Sequence, residues 1–547
     1  MGTKLPSQAL GVGHMQDYDY IVVGAGSAGA VLASRLSENS RHQVLLVEAG
    51  GDTHFLSRFP LSFGLFIEKA GVNWLYQSEP EPNTANRPIP VPRGKMLGGS
   101  SAINGLVWVR GQPLDYDTWA QMGARGWSWQ DVAPLFTRIE NYEQGGGKLG
   151  RGTEGPLKIT EVPDQSPLYD AMFKAAVAAG YRTNVDYNSE DQEGVVKTQS
   201  SIHRGMRMSV AKCYLESARK RPNLTVVTNA PTRRVVLDGK RCTGIVYEQG
   251  GRMIEARAGR EVILCAGAVA TPQLLELSGI GNPEVLKRHG IAVQHALQAV
   301  GENFRDHLNA RIIWKVNDKG VSYNHRAQGL GALGQGLRYI TTRGGFISLP
   351  SAPMLGFLRT RQDLETPDVQ MHIVPYSIKD PKTRKLQDFP SFTMSCYQLR
   401  PESLGSIHIR SSNPNEQPSI RFNFLADPID QAAMVEGFKI VRKIVEAPPM
   451  DQLRGEEFSP GKAVSSDDEI LDWIRNNAQT AYHPIGTCRM GPEGQRTVVD
   501  ERLRVHGIKG LRVADASIFP TMPSGNTNAP AIMVGEKAAD ILRADAA

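Results

Sequence analysis

Three glycines and one carboxylate supply the first chemistry. The run Tyr18-Asp-Tyr-Ile-Val-Val-Gly24-Ala-Gly26-Ser27-Ala28-Gly29 predicts a buried strand, a glycine turn and a helix running to about Leu36. A second apolar strand, Val44–Val47, leads into Glu48 and Ala49, with Glu48 nineteen positions beyond Gly29. In this context Gly24 permits a tight turn, Gly26 lets backbone approach a pyrophosphate, and Gly29 lets helix and strand pack closely. Around Ser27 and Ala28 the helix start offers unsatisfied N–H groups and a positive dipole end to phosphate. Glu48 can accept hydrogen bonds from ribose hydroxyls. The chemistry is dinucleotide binding, and this motif alone does not separate FAD from NAD.

A second segment discriminates. Pro92-Arg-Gly-Lys-Met-Leu-Gly98-Gly99-Ser100-Ser101-Ala-Ile103-Asn104-Gly105 presents successive N–H groups and hydroxyls, and Asn104 can reach a ring edge. With its neighbours it resembles the glucose–methanol–choline (GMC) oxidoreductase family. The other motifs follow in the family's order: Cys265-Ala266-Gly267-Ala268, Thr271–Gly281, Val300–His307, Tyr482–Cys488, Val513–Ser517 and Gly525-Asn526-Thr527-Asn528-Ala529-Pro530. The resemblance extends from Asp19 to Leu542. It implies FAD as cofactor, with Ala266 near the adenine, Asp515 near the ribityl and pyrophosphate groups, and Ala516 and Thr527 in the same cofactor-binding motifs. Thr232 stands at a further adenine-side position where an apolar residue is usual. Some relatives tether FAD through a histidine just before the asparagine of the second segment. Here that position is Ile103, which has no nucleophilic atom, so FAD is expected to be held non-covalently.

The same resemblance assigns the reacting end. His483 is the expected base and Asn526 its partner, in a position that carries histidine or asparagine in the family. Oxidising an alcohol removes the hydroxyl proton while the carbon's hydride passes to flavin N5. An alcohol holds that proton about as tightly as water, whose pKa is about 15.7, so imidazole near pKa 6.5 needs help as alkoxide character develops. An amide N–H from Asn526 supplies it without adding charge. Asn526 is preferred over Asn528, and His307 is expected to pack or cap. The run Ala529–Leu542 predicts a helix whose N-terminus points toward Asn526 and favours the negative charge of reduced flavin.

Choline-specific relatives hold the substrate cation with a glutamate in a segment whose counterpart by eye is Pro353-Met-Leu-Gly-Phe357-Leu358, which has no carboxylate. A neutral primary alcohol is therefore expected, against an apolar or aromatic wall drawn from Phe357, Met371, Tyr376 and Tyr397. Competing readings are choline oxidation, a lyase or photodecarboxylase on the same fold, and an NAD(P)-dependent dehydrogenase. The pairing of His483 with Asn526 argues against the lyase, and the second and third motifs argue against NAD(P).

These segments must be positioned by an α/β fold, α+β overall: a Rossmann-like FAD-binding domain with an antiparallel-sheet substrate-binding cap. The expected division is a leader over 1–15, FAD-binding segments over 16–165, 219–314 and 480–547, and substrate-binding cap segments over 166–218 and 315–479. Ser406–Arg410 and Ser419–Phe422 alternate as antiparallel strands, Asp430–Val445 has helical spacing, and Gly145–Gly147 and Ser411–Pro418 predict surface turns. The chain has 547 residues, 62 basic and 56 acidic, for a net charge of +6. That small excess, without basic runs interleaved with aromatics, excludes nucleic acid as the expected partner. Five dispersed cysteines, odd in number and without a CxxC pair, point to a reducing compartment and against a zinc site, so no metal is expected. No apolar run is long enough to span a bilayer. Cytoplasmic location is expected, with peripheral membrane contact compatible. The partners are a small alcohol and O2 or a quinone as electron acceptor.

Overall fold

Val44–Val47 is Val-Leu-Leu-Val, buried at every position, as a strand covered on both faces requires. It lies between Leu224–Val227 and Gln16–Val23, and the latter pairs with Arg252–Leu264, all parallel. Leu511–Val513 adds in parallel to the end of Arg252–Leu264. The first half of that thirteen-residue strand instead continues an antiparallel meander with Arg241–Gln249 and Thr232–Asp238. Val23, Val47, Leu264 and Val513 thus end at one edge of the sheet. The residues that follow them are Gly24, Glu48, Cys265–Ala266 and Ala514–Asp515. Motifs scattered through the sequence converge because each comes directly after a parallel strand, the edge where open α/β sheets bind ligands. The computed structural model describes residues 16–144, 150–189, 191–380 and 384–546. The expected leader, 1–15, and the expected turn at Gly145–Gly147 lie outside the described residues.

The helix Gly29–Leu36 is buried at seven of its eight positions. It packs against the C-terminal helix Asn528–Ala546, where an added Cβ at Gly535 would lie 2.5 Å from the Ala28 carbonyl oxygen. Buried Glu536 ties this layer together. It accepts from Arg35 Nε at 3.0 Å and from the Tyr214 hydroxyl at 2.9 Å, and lies 3.1 Å from Arg138. The C-terminal helix begins at Asn528, earlier than the sequence suggested, which puts Pro530 at its third position rather than its first.

A second sheet is antiparallel throughout, in the order Arg454–Ser459, Leu308–Val316, Ser391–Gln398, Val369–Val374, Met354–Leu358, Gly194–Lys197. Alternation sorts its faces. Ala310, Ile312, Trp314, Met371, Ile373, Met394 and Cys396 turn to a core shared with the helix Pro428–Val445. That helix is capped by Asp427, which accepts from Ile429 N at 2.8 Å, and starts with proline. Asn309, Arg311, Ile313, His372, Val374, Thr393 and Ser395 turn the other way, toward the first sheet. The cap strand begins at Leu308, so the expected boundary after residue 314 falls inside it. The run Leu-Asn-Ala-Arg-Ile-Ile-Trp-Lys-Val carries the alternation of the cap sheet from its first residue, but its attachment to the preceding Asp306-His307 motif concealed this. Ser406–His408 and Ser419–Arg421 pair as a separate antiparallel ribbon.

Gly29 holds strand and helix together at the closest approach in the nucleotide turn. An added Cβ would lie 2.0 Å from the Gly24 carbonyl oxygen and 2.8 Å from Cys265 Cβ, whereas at Gly26 it would meet nothing within 4 Å. Gly29→Ala is therefore expected to destabilise the protein by about 1–3 kcal/mol, read as a lower thermal midpoint. Gly26→Ala should leave the apoprotein's midpoint near that of the parent.

Candidate active site and cofactor cleft

A cavity of about 900 Å³ runs between the two sheets. Its nucleotide half is lined by Gly24, Gly26, Ser27, Ala28, Glu48, Ala49, Thr232, Ala266, Asp515 and Ala516. Its middle is lined by Gly99, Ser100, Ile103, Asn104, Gly105 and Thr527, and its far end by His483 and Asn526. Gly29 and Gly98 stand behind the lining: Gly29 in the packing just described, Gly98 at φ +91° in the turn that starts the Gly99–Ala102 helical turn.

The carboxylates of the nucleotide half organise backbone. Glu48 accepts from Ala25 N at 2.9 Å and Gly50 N at 2.8 Å, and burial raises its pKa to about 7. Asp515 accepts from Gly267 N at 2.8 Å, Ser517 N at 2.7 Å and the Thr271 hydroxyl at 2.7 Å, with burial again pushing the carboxyl upward. Asp515 thereby fixes the start of the helix Gly267–Leu277, beside Ala266. Gly99 lies so close to Gly26 that an added Cβ would sit 2.8 Å from its Cα, which brings the two glycine segments together on one wall.

At the far end the hydrogen bonds form a chain with one direction. The Leu399 carbonyl can only accept, so His307 Nε2, 2.8 Å away, carries a proton and donates. Burial lowers the His307 pKa to about 4, so the ring is neutral and its Nδ1 is an acceptor. His483 Nδ1, 2.9 Å from it, must then donate. Neutral His483 consequently has its lone pair on Nε2, 3.0 Å from Asn526 Nδ2. Burial, then His307, His372 and Arg93, hold the His483 pKa well below its ordinary value. Asn526 is oriented by Gln370, whose Nε2 donates to its Oδ1 at 3.2 Å. Buried Asp306 holds the backbone, accepting from His307 N at 2.7 Å, His483 N at 2.8 Å and the Thr480 hydroxyl at 2.5 Å. Asn528 does not face His483; its Oδ1 accepts from the Ser27 hydroxyl at 2.7 Å in the nucleotide turn.

His307, Asp306 and Gln370 were not singled out for this role by sequence. The Asp-His pair was visible, but its place against Tyr482-His483 follows from pairing between Leu308–Asn309 and Gln479–Thr480. The expected substrate wall also changes. Tyr376 lines the cavity, but Met371 faces the opposite side of its strand, as its odd position relative to His372 requires. Phe357 packs on Tyr187 at 5.3 Å between ring centroids, and Tyr397 packs behind the histidines, 4.6 Å from His307. Arg311, Arg384 and Lys379 line the space instead. Among the described residues no group of three or more His, Cys, Asp or Glu side chains is arranged to hold a metal, and no helix is long and apolar enough to cross a membrane.

Two family models described as GMC oxidoreductase match residues 18–309 and 401–535. The chain belongs to the GMC oxidoreductase family. It is 40% identical over 532 residues to an oxygen-dependent choline dehydrogenase of Photobacterium profundum, covering 96% of this chain and 93% of that relative. It is also 40% identical to an alcohol dehydrogenase [acceptor] of Pseudomonas putida, covering 96% and 95%. Among solved structures it is similar to a formate oxidase, at 28% identity and TM-score 0.91 with 97% and 99% covered. Pyridoxine 4-oxidase of Mesorbium loti matches at 28% identity and TM-score 0.86, with 96% and 99% covered.

The GMC chain is thus an FAD-dependent oxidoreductase acting on CH–OH donors, and its residues fit the cofactor. The space beside Gly26 is open, Thr232 Oγ1 is buried without a hydrogen-bond partner in the cavity wall, and with FAD bound Gly26 would face its pyrophosphate, Glu48 its ribose and Thr232 its adenine side. His307→Leu should slow flavin reduction by alcohol on the order of 100-fold, because His483 loses the acceptor that selects its tautomer. His307→Asn, whose amide oxygen can accept the same hydrogen bond, should recover much of the rate. Stopped-flow absorbance on FAD-loaded protein measures both, and equal losses would reduce His307 to packing.

Proposed function

We propose that this GMC enzyme oxidises a primary alcohol to an aldehyde, with His483 as the base. The observation that supports it is the directed chain from the Leu399 carbonyl through His307 to His483, which leaves a lone pair on Nε2 beside the Asn526 amide. A hydroxyl that replaces their mutual 3.0 Å hydrogen bond and bridges the two groups can give its proton to Nε2 while its oxygen accepts from Asn526 Nδ2, which stabilises charge as it forms. When bound, FAD would supply the acceptor for the hydride of the carbinol carbon. Helix Asn528–Ala546 begins beside this point, and its N-terminal dipole favours negative charge there.

Non-covalent attachment is supported by Ile103, which lines the cavity where some relatives carry a linking histidine. Acid precipitation should therefore release FAD into the supernatant. The acceptor is O2 or a quinone, and peroxide formation during turnover separates them. A cytoplasmic location is supported by the five free cysteines, and peripheral membrane contact by helix Leu330–Thr342. It leaves Leu330, Leu333, Leu337 and Ile340 exposed on one face, flanked by exposed Arg338 and Arg343. Choline oxidation is the second reading, favoured by the relative of that name. Against it, among the described residues at the substrate end of the cavity there is no carboxylate to hold a quaternary ammonium.

His483→Ala should lower the rate of anaerobic flavin bleaching by about 1,000-fold while the protein keeps its FAD; unchanged turnover would remove His483 as base. The base must be unprotonated, so activity is present above its pKa and lost as pH falls through it. Because that pKa is depressed, kcat/KM should stay level down to about pH 6.5, the ordinary histidine value, and decline only below it.

A further inference from the structure

Five cations line the substrate half of the cavity: Arg93, Lys95, Arg311, Lys379 and Arg384. Three are already occupied. Lys379 pairs with Asp388 at 2.5 Å. Arg93 donates to the Tyr482 carbonyl at 2.7 Å and lies in the field of Asp306. Lys95 stands 4.5 Å over the Trp74 ring. Arg311 and Arg384 differ, because among the described residues neither forms an ion pair. Arg384 donates to the Tyr482 hydroxyl at 3.1 Å, Arg311 shares that hydroxyl, and Arg311 reaches the Gln479 amide oxygen only at 3.4 Å. Arg384 Nε is buried without a partner, as is Asn309 Oδ1 two residues before Arg311 on the same sheet face. Among the described residues the other titratable groups facing this pair are His372, held neutral by burial, and Tyr376. Two half-buried guanidiniums side by side, without a counter-charge among the described residues, are an arrangement that an anion completes.

The position suits a substrate rather than a structural ion. Arg311, Ser395 and His372 form one row across the cap sheet. Gln370, which orients Asn526, lies in the next row of the same face. Two strand spacings put Arg311 about 10 Å across the sheet from the Gln370–His372 strand, and Tyr482 immediately precedes His483. On its outer side Arg384 rests against Gly64, where an added Cβ would lie 3.8 Å from its Cγ.

We propose that Arg311 and Arg384, joined through Tyr482, form a subsite for the carboxylate of an alcohol whose hydroxyl lies between His483 and Asn526, making the substrates hydroxycarboxylates rather than neutral or cationic alcohols. This rests on the reading of His483 and Asn526 given above. Burial opposes ionisation of the Tyr482 phenol, yet Arg384 and Arg311 bring its pKa below the ordinary value, as expected where positive charge is uncompensated.

FAD-loaded protein is mixed anaerobically with 6-hydroxyhexanoate, hexan-1-ol or choline, and hexanoate binding is followed by calorimetry. At low salt 6-hydroxyhexanoate should reduce the flavin with a second-order rate constant at least about tenfold above that of hexan-1-ol, with the advantage shrinking as salt rises. Arg384→Met should cut that preference at least about tenfold and abolish hexanoate binding, and Arg384→Lys should restore part of both. If hexan-1-ol or choline is as good a substrate and hexanoate does not bind, the carboxylate subsite is overturned while alcohol oxidation stands. If no alcohol bleaches the flavin but hexanoate binds and needs Arg384, the subsite stands and the alcohol reading falls. The parent-protein comparisons decide the matter even if a variant fails to fold.

Discussion

A carbonyl oxygen can only accept a hydrogen bond, and from Leu399 outward that fact sets the state of the reacting end. It assigns the proton on His307, the acceptor on its other nitrogen, the donor on His483 and the lone pair facing Asn526. Each step needs both rings neutral, and burial ensures this by disfavouring their charged forms. A more solvated site would let either ring protonate and the direction would be lost. The buried Asp306 keeps the two histidines adjacent by holding both of their backbone N–H groups, so the chain depends on main-chain anchoring as much as on the rings.

The cavity joins two differently built halves. On the nucleotide side carboxylates serve the backbone: Glu48 the glycine turn and Asp515 the start of the helix Gly267–Leu277. Charges there hold the loops that would face a bound dinucleotide. On the cap side the exposed face of an antiparallel sheet presents polar and cationic groups in register, while its other face is sealed by apolar side chains and the helix Pro428–Val445. The strict alternation of strands is what allows one sheet to be core on one side and reaction wall on the other.

Much of the cofactor cleft was legible in the sequence because its determinants are local. The glycine turn needs three glycines at short spacing after a strand, Glu48 needs only to end the next strand, and Ile103 at a linking position is a matter of residue type. Pairing of His483 with Asn526 was reachable through motifs of the family. The rest depended on which strand lies next to which. The positioning role of His307 arises from the register of Leu308–Asn309 against Gln479–Thr480. The expected wall missed at Met371 because residue type alone does not say which face of a strand turns to the cavity, and at Phe357 because Tyr187 covers it on the face it shares with Gln370.

By itself, then, the sequence pointed to a GMC flavoenzyme, to the place of its glycine turn, and to a histidine and an asparagine that the structure brings together at the far end of the cavity. Short-range backbone requirements and ordered motifs survive in a linear reading. Tertiary structure alone decided which tautomer His483 adopts, that Asn528 serves the nucleotide turn, and that Arg311 and Arg384 meet at Tyr482 without a counter-ion among the described residues. Those properties come from hydrogen-bond direction, burial and charge balance among residues far apart in the chain, and they exist only once the two sheets face each other.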